Sequence, residues 1–139
     1  MADFACALIV HDRRLLLGQR SAHRRNRADK WDVIGGMAEA DEDLHSALTR
    51  ELAEEVGIVP LSQRYFATIE QQPTDSCFHY FVVDQWQGTP TIRNQEHSQL
   101  MWYLFSDAAQ LPDLALPEYP DLFRRLARFS SGADPSSLG

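Results

Sequence analysis

Short apolar runs separated by polar turns occupy most of this chain, and one long amphipathic stretch interrupts them. Phe4 to Val10 (FACALIV) is a continuous apolar block that reads as a strand. His11-Asp12-Arg13 is a turn, and Arg14 to Gln19 (RLLLGQ) reads as that strand's continuation or its hairpin partner. Trp31 to Ile34 (WDVI) forms a short strand leading into the glycine pair Gly35-Gly36. Tyr65 to Glu70 (YFATIE) and Cys77 to Gln85 (CFHYFVVDQ) are two more strands, joined across Pro73. Tyr80 to Val83 in the second are all aromatic or aliphatic, which suits a central position in a sheet. Gln87-Gly88-Thr89-Pro90 is a turn, and Leu100 to Leu104 (LMWYL) is a further strand. An irregular connector from Leu111 to Pro117 leads to a final helix, expected to reach about Arg128 with Leu122, Phe123, Leu126 and Phe129 as its buried face.

The interrupting stretch runs from Gly36 to Ile58, GMAEADEDLHSALTRELAEEVGI. Leu44, Leu48, Leu52 and Val56 recur at i, i+4 and mark one buried helical stripe. Asp41 or Asp43 is suited to cap its start, and Asp41-Glu42-Asp43 is expected to place negative charge in the first turn, where the helix dipole favours it. Gly57, followed by Pro60, stops it. Glu51, Glu54 and Glu55 share the opposite flank. Like charges so spaced destabilise a helix by about 0.2–0.5 kcal/mol per pair, and no lysine stands among them. An acidic solvated face is one reading. The other is a hard divalent cation, which takes oxygen ligands and is commonly shared between carboxylates and phosphates. Arg50 stands beside the cluster, able to hold a glutamate or face a phosphate.

The elements together predict an α/β protein, a mixed sheet layered between helices, with residues 1–130 as one domain. Residues 131–139 belong to a stretch poor in apolar residues and are expected to be a disordered tail. The formal charge of −7 argues against a general nucleic-acid or anionic-membrane surface, yet not against a small phosphorylated ligand held through a metal. Cys6 and Cys77 give neither a disulfide framework nor zinc spacing and read as buried thiols. With no signal peptide and no membrane-length apolar run, the expected location is cytoplasmic. Against this acidic background, Arg20, Arg24, Arg25, Arg27 and Lys30 make a local basic segment, either a solvated loop or the phosphate-facing rim of a site.

The stretch from Gly36 to Ile58 resembles the Nudix box: G, five residues, E, seven residues, R-E-U-x-E-E-x-G-U, where U is bulky and aliphatic. Gly36, Glu42, Arg50, Glu51, Leu52, Glu54, Glu55, Gly57 and Ile58 fill every fixed place. A weaker likeness extends from about Phe4 to Phe129. Ile34 departs from the pattern, standing where the family commonly has proline before its glycine pair.

The resemblance implies an α/β/α sandwich and hydrolysis of a phosphoanhydride in a nucleoside diphosphate linked to another group, most simply in a nucleoside triphosphate. It implies Mg2+, with Mn2+ as the alternative ion, held by Glu51, Glu55 and, third, Glu54, together with the backbone carbonyl of Gly35. Arg50 would orient a glutamate, and Glu42 would bind a more distant metal or cap the helix. The general base is either a glutamate of the box or Glu96, on the polar stretch Asn94-Gln95-Glu96-His97; His97 is either a phosphate-binding residue or, more simply, an exposed loop histidine. Arg20, ending the second strand, is the expected substrate-facing arginine. Trp31, Phe78, Tyr80, Trp86, Trp102 and Tyr119 are the aromatic residues available to stack on a base.

The partner expected is a nucleotide, with no nucleic acid and no membrane, and a homodimer is left open. ADP-ribose or sugar-nucleotide hydrolysis is the alternative on the same scaffold, less favoured because the chain begins at its first strand. An isopentenyl diphosphate isomerase is disfavoured by the chain's length and its intact box. A nucleotide-binding module without catalysis is disfavoured because no box glutamate is missing.

Overall fold

β1 (Ala2–His11) and β2 (Arg14–Arg20) form the hairpin from which the rest is hung. In this computed structural model, which describes residues 2–24 and 26–130, the turn between them is tight: Asp12 and Arg13 have φ of 52° and 63°. Left-handed residues at both centre positions match the twist of a two-residue hairpin. The strands stay paired only at Val10–Leu15 and His11–Arg14 and then part. Arg25 and residues 131–139 lie outside the described residues, and so does the expectation of a disordered tail.

After the hairpin the two strands collect different neighbours. β3 (Trp31–Asp32) pairs with β2, whereas β4 (Ile34–Met37) pairs antiparallel with β1. The predicted single strand WDVI is therefore two, broken at Val33, because the chain crosses there from one half of the sheet to the other. The box helix, α1 (Leu44–Val56), follows, then β5 (Val59–Pro60), β6 (Arg64–Gln71) and β7 (Ser76–Val83). β7 is central as its sequence suggests, parallel to β1 on one side and antiparallel to β6 on the other. β8 (Trp86–Gln87) pairs with β5 in a small separate sheet.

β9 (His97–Leu104) runs the length of β2 and starts three residues earlier than its apolar run predicts. A short helix that the sequence pattern does not reveal, α2 (Phe105–Ala109), turns Phe105, Ala108 and Ala109 into the core. The last helix is α3 (Tyr119–Ser130). Its Leu122, Phe123 and Leu126 are buried as expected, but Phe129 is not. Phe129 lies at the surface, edge-on to Phe66 with the Arg64 guanidinium 5.2 Å above its ring.

Strand alternation explains the layering. Cys6, Leu8 and Val10 of β1 face one core with α2 and α3, while Ala5, Ala7 and Ile9 face a second with the Ala47, Leu48, Leu52 and Val56 side of α1. The sheet thus lies between helical layers. None of the helices among the described residues is long and apolar enough to cross a membrane. The parting of β1 from β2 matters most: it opens a cleft between the two halves of the sheet.

Candidate active site

The cleft is a cavity of about 250 Å3. Cys6, Gly35 and Gly36 form one wall, Arg20 and Asp32 the facing wall; Glu51 and Glu55 come from α1, Glu96 from the loop just before β9 and His97 from the first residue of that strand.

α1 is placed by its ends. Asp43, not Asp41, is the cap: its Oδ1 accepts from the Ser46 N–H at 2.8 Å. Gly57 closes the helix in the left-handed region, at φ 72°, its N–H donating to the Leu52 carbonyl. The expected acidic first turn is absent, because Asp41 and Glu42 precede the helix. Glu42 instead accepts from the Arg50 Nε at 2.6 Å and Nη2 at 2.8 Å. That pairing, helped by the Glu39 N–H, holds the Glu42 carboxyl at about 2.

Arg50 also donates to Glu51 at 3.0 Å, to Glu54 at 3.1 Å and to the Met37 carbonyl at 3.2 Å. One guanidinium thus ties the loop after β4 to the acidic flank of the helix. Hydrogen bonds to Glu42 above all raise its affinity for its proton still further.

The three flank glutamates, equivalent in the sequence, are not equivalent in space. Glu54 is exposed and turned to Arg50, and it is not brought into the cavity. Glu51 is mostly buried, with its carboxylate laid on Gly36 so closely that a Cβ there would collide with it. Glu55 is 1% exposed. Its Oε1 lies 3.0 Å from His97 Nε2, and its Oε2 is buried with no hydrogen-bond partner among the described residues. Glu96, remote in sequence, joins them: Glu51, Glu55 and Glu96 each offer an oxygen within 4.8 Å of the others.

Burial first, then the neighbouring Glu51 and Glu96 carboxylates, push the Glu55 carboxyl well above the usual carboxylate range. Three converging carboxylates, one with a buried unpaired oxygen, suit a hard divalent cation, which would supply the missing positive charge. Gly35 lines the same cavity, and a Cβ there would strike the Ala5 carbonyl of β1.

The facing wall is a buried chain of polar groups. Arg20 is only 7% exposed. It donates to Asp32 Oδ2 at 3.3 Å and to the Asn26 carbonyl at 2.9 Å. Asp32 Oδ1 accepts from the Tyr119 hydroxyl at 2.6 Å, and Tyr119 accepts from Tyr80 at 3.1 Å. Arg20, the expected substrate arginine, reaches the cavity wall with much of its donor capacity already used by the protein.

Arg24 and Arg27 of the basic loop line the cavity as well. Arg24 pairs with Glu96 Oε1 at 3.2 Å, and the buried Nε of Arg27 has no partner among the described residues. Of the aromatic residues singled out, Phe78 and Tyr119 border the cavity, Phe78 stacked on Phe4 at 4.8 Å. Trp31 and Tyr80 lie in the core, and Trp86 stacks on Trp102 away from the cavity.

His97 corrects the sequence reading. It is the first residue of β9, not a loop residue, and is buried rather than exposed. Burial lowers its proton affinity. Asp32 and Tyr119 also carry weight here that the sequence did not announce. A second group, Asp3, Cys77 and His79, lies outside this cavity, with His79 Nε2 and Asp3 Oδ1 already 2.9 Å apart.

A NUDIX domain family model matches residues 1–126. The chain is 33% identical over 114 residues to the CTP pyrophosphohydrolase of Escherichia coli K12, across 81% of this chain and 82% of that protein. It is 27% identical over 124 residues to the 8-oxo-dGTP diphosphatase of Escherichia coli K12, across 88% of this chain and 96% of that protein. The solution structure of the E. coli ORF135 protein superposes with a TM-score of 0.78 at 30% identity, covering 94% of this chain and 92% of that one.

Proposed function

The chain belongs to the NUDIX family, and from that premise we propose that it is a metal-dependent nucleoside triphosphate pyrophosphohydrolase. The observation that carries the proposal is the convergence of Glu51, Glu55 and Glu96 in a cavity lined by Arg20, Arg24 and Arg27. Carboxylates and guanidiniums facing one cavity suit a polyanion held through a cation better than they suit either ion alone.

Glu51 and Glu55, with the Gly35 carbonyl, would hold Mg2+. When bound, the ion neutralises phosphate charge and orients the phosphate oxygens for displacement. Arg24 and Arg27 bind the outer phosphates. Arg50 fixes Glu51 from behind, and Glu54 completes its grip. Glu96 is the most exposed member of the converging set and adjoins Arg24. It accepts a proton from the attacking water, or orients that water by a hydrogen bond. Phe78 offers an apolar edge to the base. The named relatives act on a pyrimidine and an oxidised purine nucleotide.

A phosphate-release screen with Mg2+ tests the reading, over canonical and oxidised nucleoside triphosphates, ADP-ribose, sugar nucleotides and dinucleoside polyphosphates. A coupled pyrophosphatase distinguishes the bond cut. Mg2+-dependent release of pyrophosphate from a triphosphate is the expected result. Cleavage confined to ADP-ribose or sugar nucleotides overturns the substrate class. Nucleotide binding without cleavage overturns the catalytic reading.

A further inference from the structure

We infer that His97 is a positioning residue for the metal site: its Nε2–H holds Glu55 Oε1 so that Oε2 is presented to the cation. The inference rests on the proposed reading that Glu55 is a ligand.

The pair is almost sealed from water, the side chains being 4% and 1% exposed. It joins elements far apart in sequence, the last turn of α1 and the first residue of β9. An ionised carboxylate, the form that holds a cation, accepts and cannot donate, so in that state the histidine nitrogen is the donor across the 3.0 Å separation. With Glu55 ionised, that places the proton on Nε2 and leaves Nδ1 a bare acceptor when the ring is neutral. Nδ1 is indeed buried and unpaired among the described residues.

Buried polar groups are mostly hydrogen-bonded, so an unpaired second nitrogen on the histidine beside an unpaired second oxygen on its partner calls for more than packing. The two vacancies differ in kind. Nδ1 is pressed against β2, where a Cβ on Gly18 would lie 2.5 Å from it. Oε2 belongs to the residue that lines the cavity with Glu51 and Glu96. Glycine at position 18 lets the ring lie against the strand, and the ring in turn sets one carboxylate oxygen. A ligating carboxylate whose other oxygen is tethered loses less rotamer freedom on binding the ion, and such outer partners commonly govern affinity. No other residue among the described ones donates to the Glu55 carboxylate.

The test pairs two substitutions. His97→Phe keeps the ring and removes the donor; His97→Gln keeps a donor and removes the ring. Mn2+ binding to the metal-free proteins is measured by titration calorimetry, alongside thermal unfolding in EDTA and kcat and KM for the nucleotide cleaved. His97→Phe should weaken Mn2+ about 10- to 100-fold, with kcat falling at limiting metal while KM for nucleotide holds. His97→Gln should recover most of that affinity even where it is the less stable protein. Unchanged Mn2+ affinity in His97→Phe overturns the inference, as does a loss in both variants that merely tracks their stability. Should His97→Phe not fold, His97→Asn takes its place, since its amide stops short of the Nε2 position. Glu55→Gln separates the two levels. If it binds Mn2+ as the native chain does, the ligand reading itself fails; if it loses Mn2+ while His97→Phe does not, only the role of His97 fails.

Discussion

Glu55→Gln should make the metal-free protein more stable while removing its activity. Glu55 is 1% exposed, and its oxygen lies within 4.8 Å of the oxygens of Glu51 and Glu96. Two unit charges at 4.8 Å repel by about 3.5 kcal/mol at an effective dielectric constant near 20. Arg50 on Glu51 and Arg24 on Glu96 offset part of each neighbour's charge, which brings the summed relief to about 2–4 kcal/mol rather than two full pairs. The amide is isosteric. Its oxygen still accepts from His97, and its NH2 can donate to the carboxylates it formerly repelled. For a domain of this size the gain corresponds to a Tm higher by about 10 °C.

The pH dependence carries the sign of the argument. Burial and its neighbours raise the folded-state pKa of Glu55. Between the unfolded value, about 4.3, and the raised folded value, the native state binds more protons than the unfolded one. Native stability therefore falls as pH rises through that window, and the glutamine variant escapes the fall. Thermal unfolding in EDTA should show the two proteins converging below about pH 4 and separating towards neutrality. Mg2+ at about 1,000 times Kd should close or reverse the gap, because binding then adds about 4.1 kcal/mol to the native chain alone. A variant no more stable than the native chain in EDTA at neutral pH would refute the reasoning that Glu55 is buried without adequate compensation.

Gly36→Ala should fold, because the atoms its Cβ meets belong to the end of the Glu51 side chain, and displacing that carboxylate should lower kcat about 10- to 100-fold, read by steady-state kinetics beside an unfolding curve. Glu96→Gln should reduce the rate at neutral pH and flatten the acid limb of the pH–rate profile; a profile of unchanged shape removes Glu96 as the proton acceptor. Tyr119→Phe takes a buried O–H from Asp32 and should cost about 1–3 kcal/mol in urea unfolding, with a raised KM for nucleotide because Asp32 holds Arg20.

The box helix was legible because its signals are local. An i, i+4 stripe, an Asp cap and a left-handed Gly57 each act within a few residues, and nothing tertiary overrides them. Glu51 and Glu55 could be placed on the flank away from the stripe by the same period. What the period does not give is depth. Glu54 and Glu55 are adjacent, yet one is exposed beside Arg50 and the other is sealed under β9. That difference depends on a strand more than forty positions away in the chain. The same strand explains the misreading of His97. β9 opens with His97-Ser98-Gln99, polar residues whose pairing with β2 supplies the order that hydrophobicity does not. WDVI misled for a related reason: all four residues are buried, but the pattern of burial carries no mark of a crossing between two halves of a sheet.

The cavity sets two charge systems side by side with opposite economies. Around Arg50 every carboxylate has a donor: Glu42 holds two hydrogen bonds from it, Glu51 and Glu54 one each. None of these contacts requires a ligand, and they fasten the helix flank to the loop after β4 whether or not substrate is present. Around Glu55 the balance is left negative, with one oxygen on His97 and the other buried without a hydrogen-bond partner among the described residues. A fold stabilised uniformly would have placed a second arginine there. Stability is thus concentrated at the rim and withheld at the floor, which is the distribution a site needs if binding of a cation is to be driven by relief of a charge the fold itself leaves uncompensated.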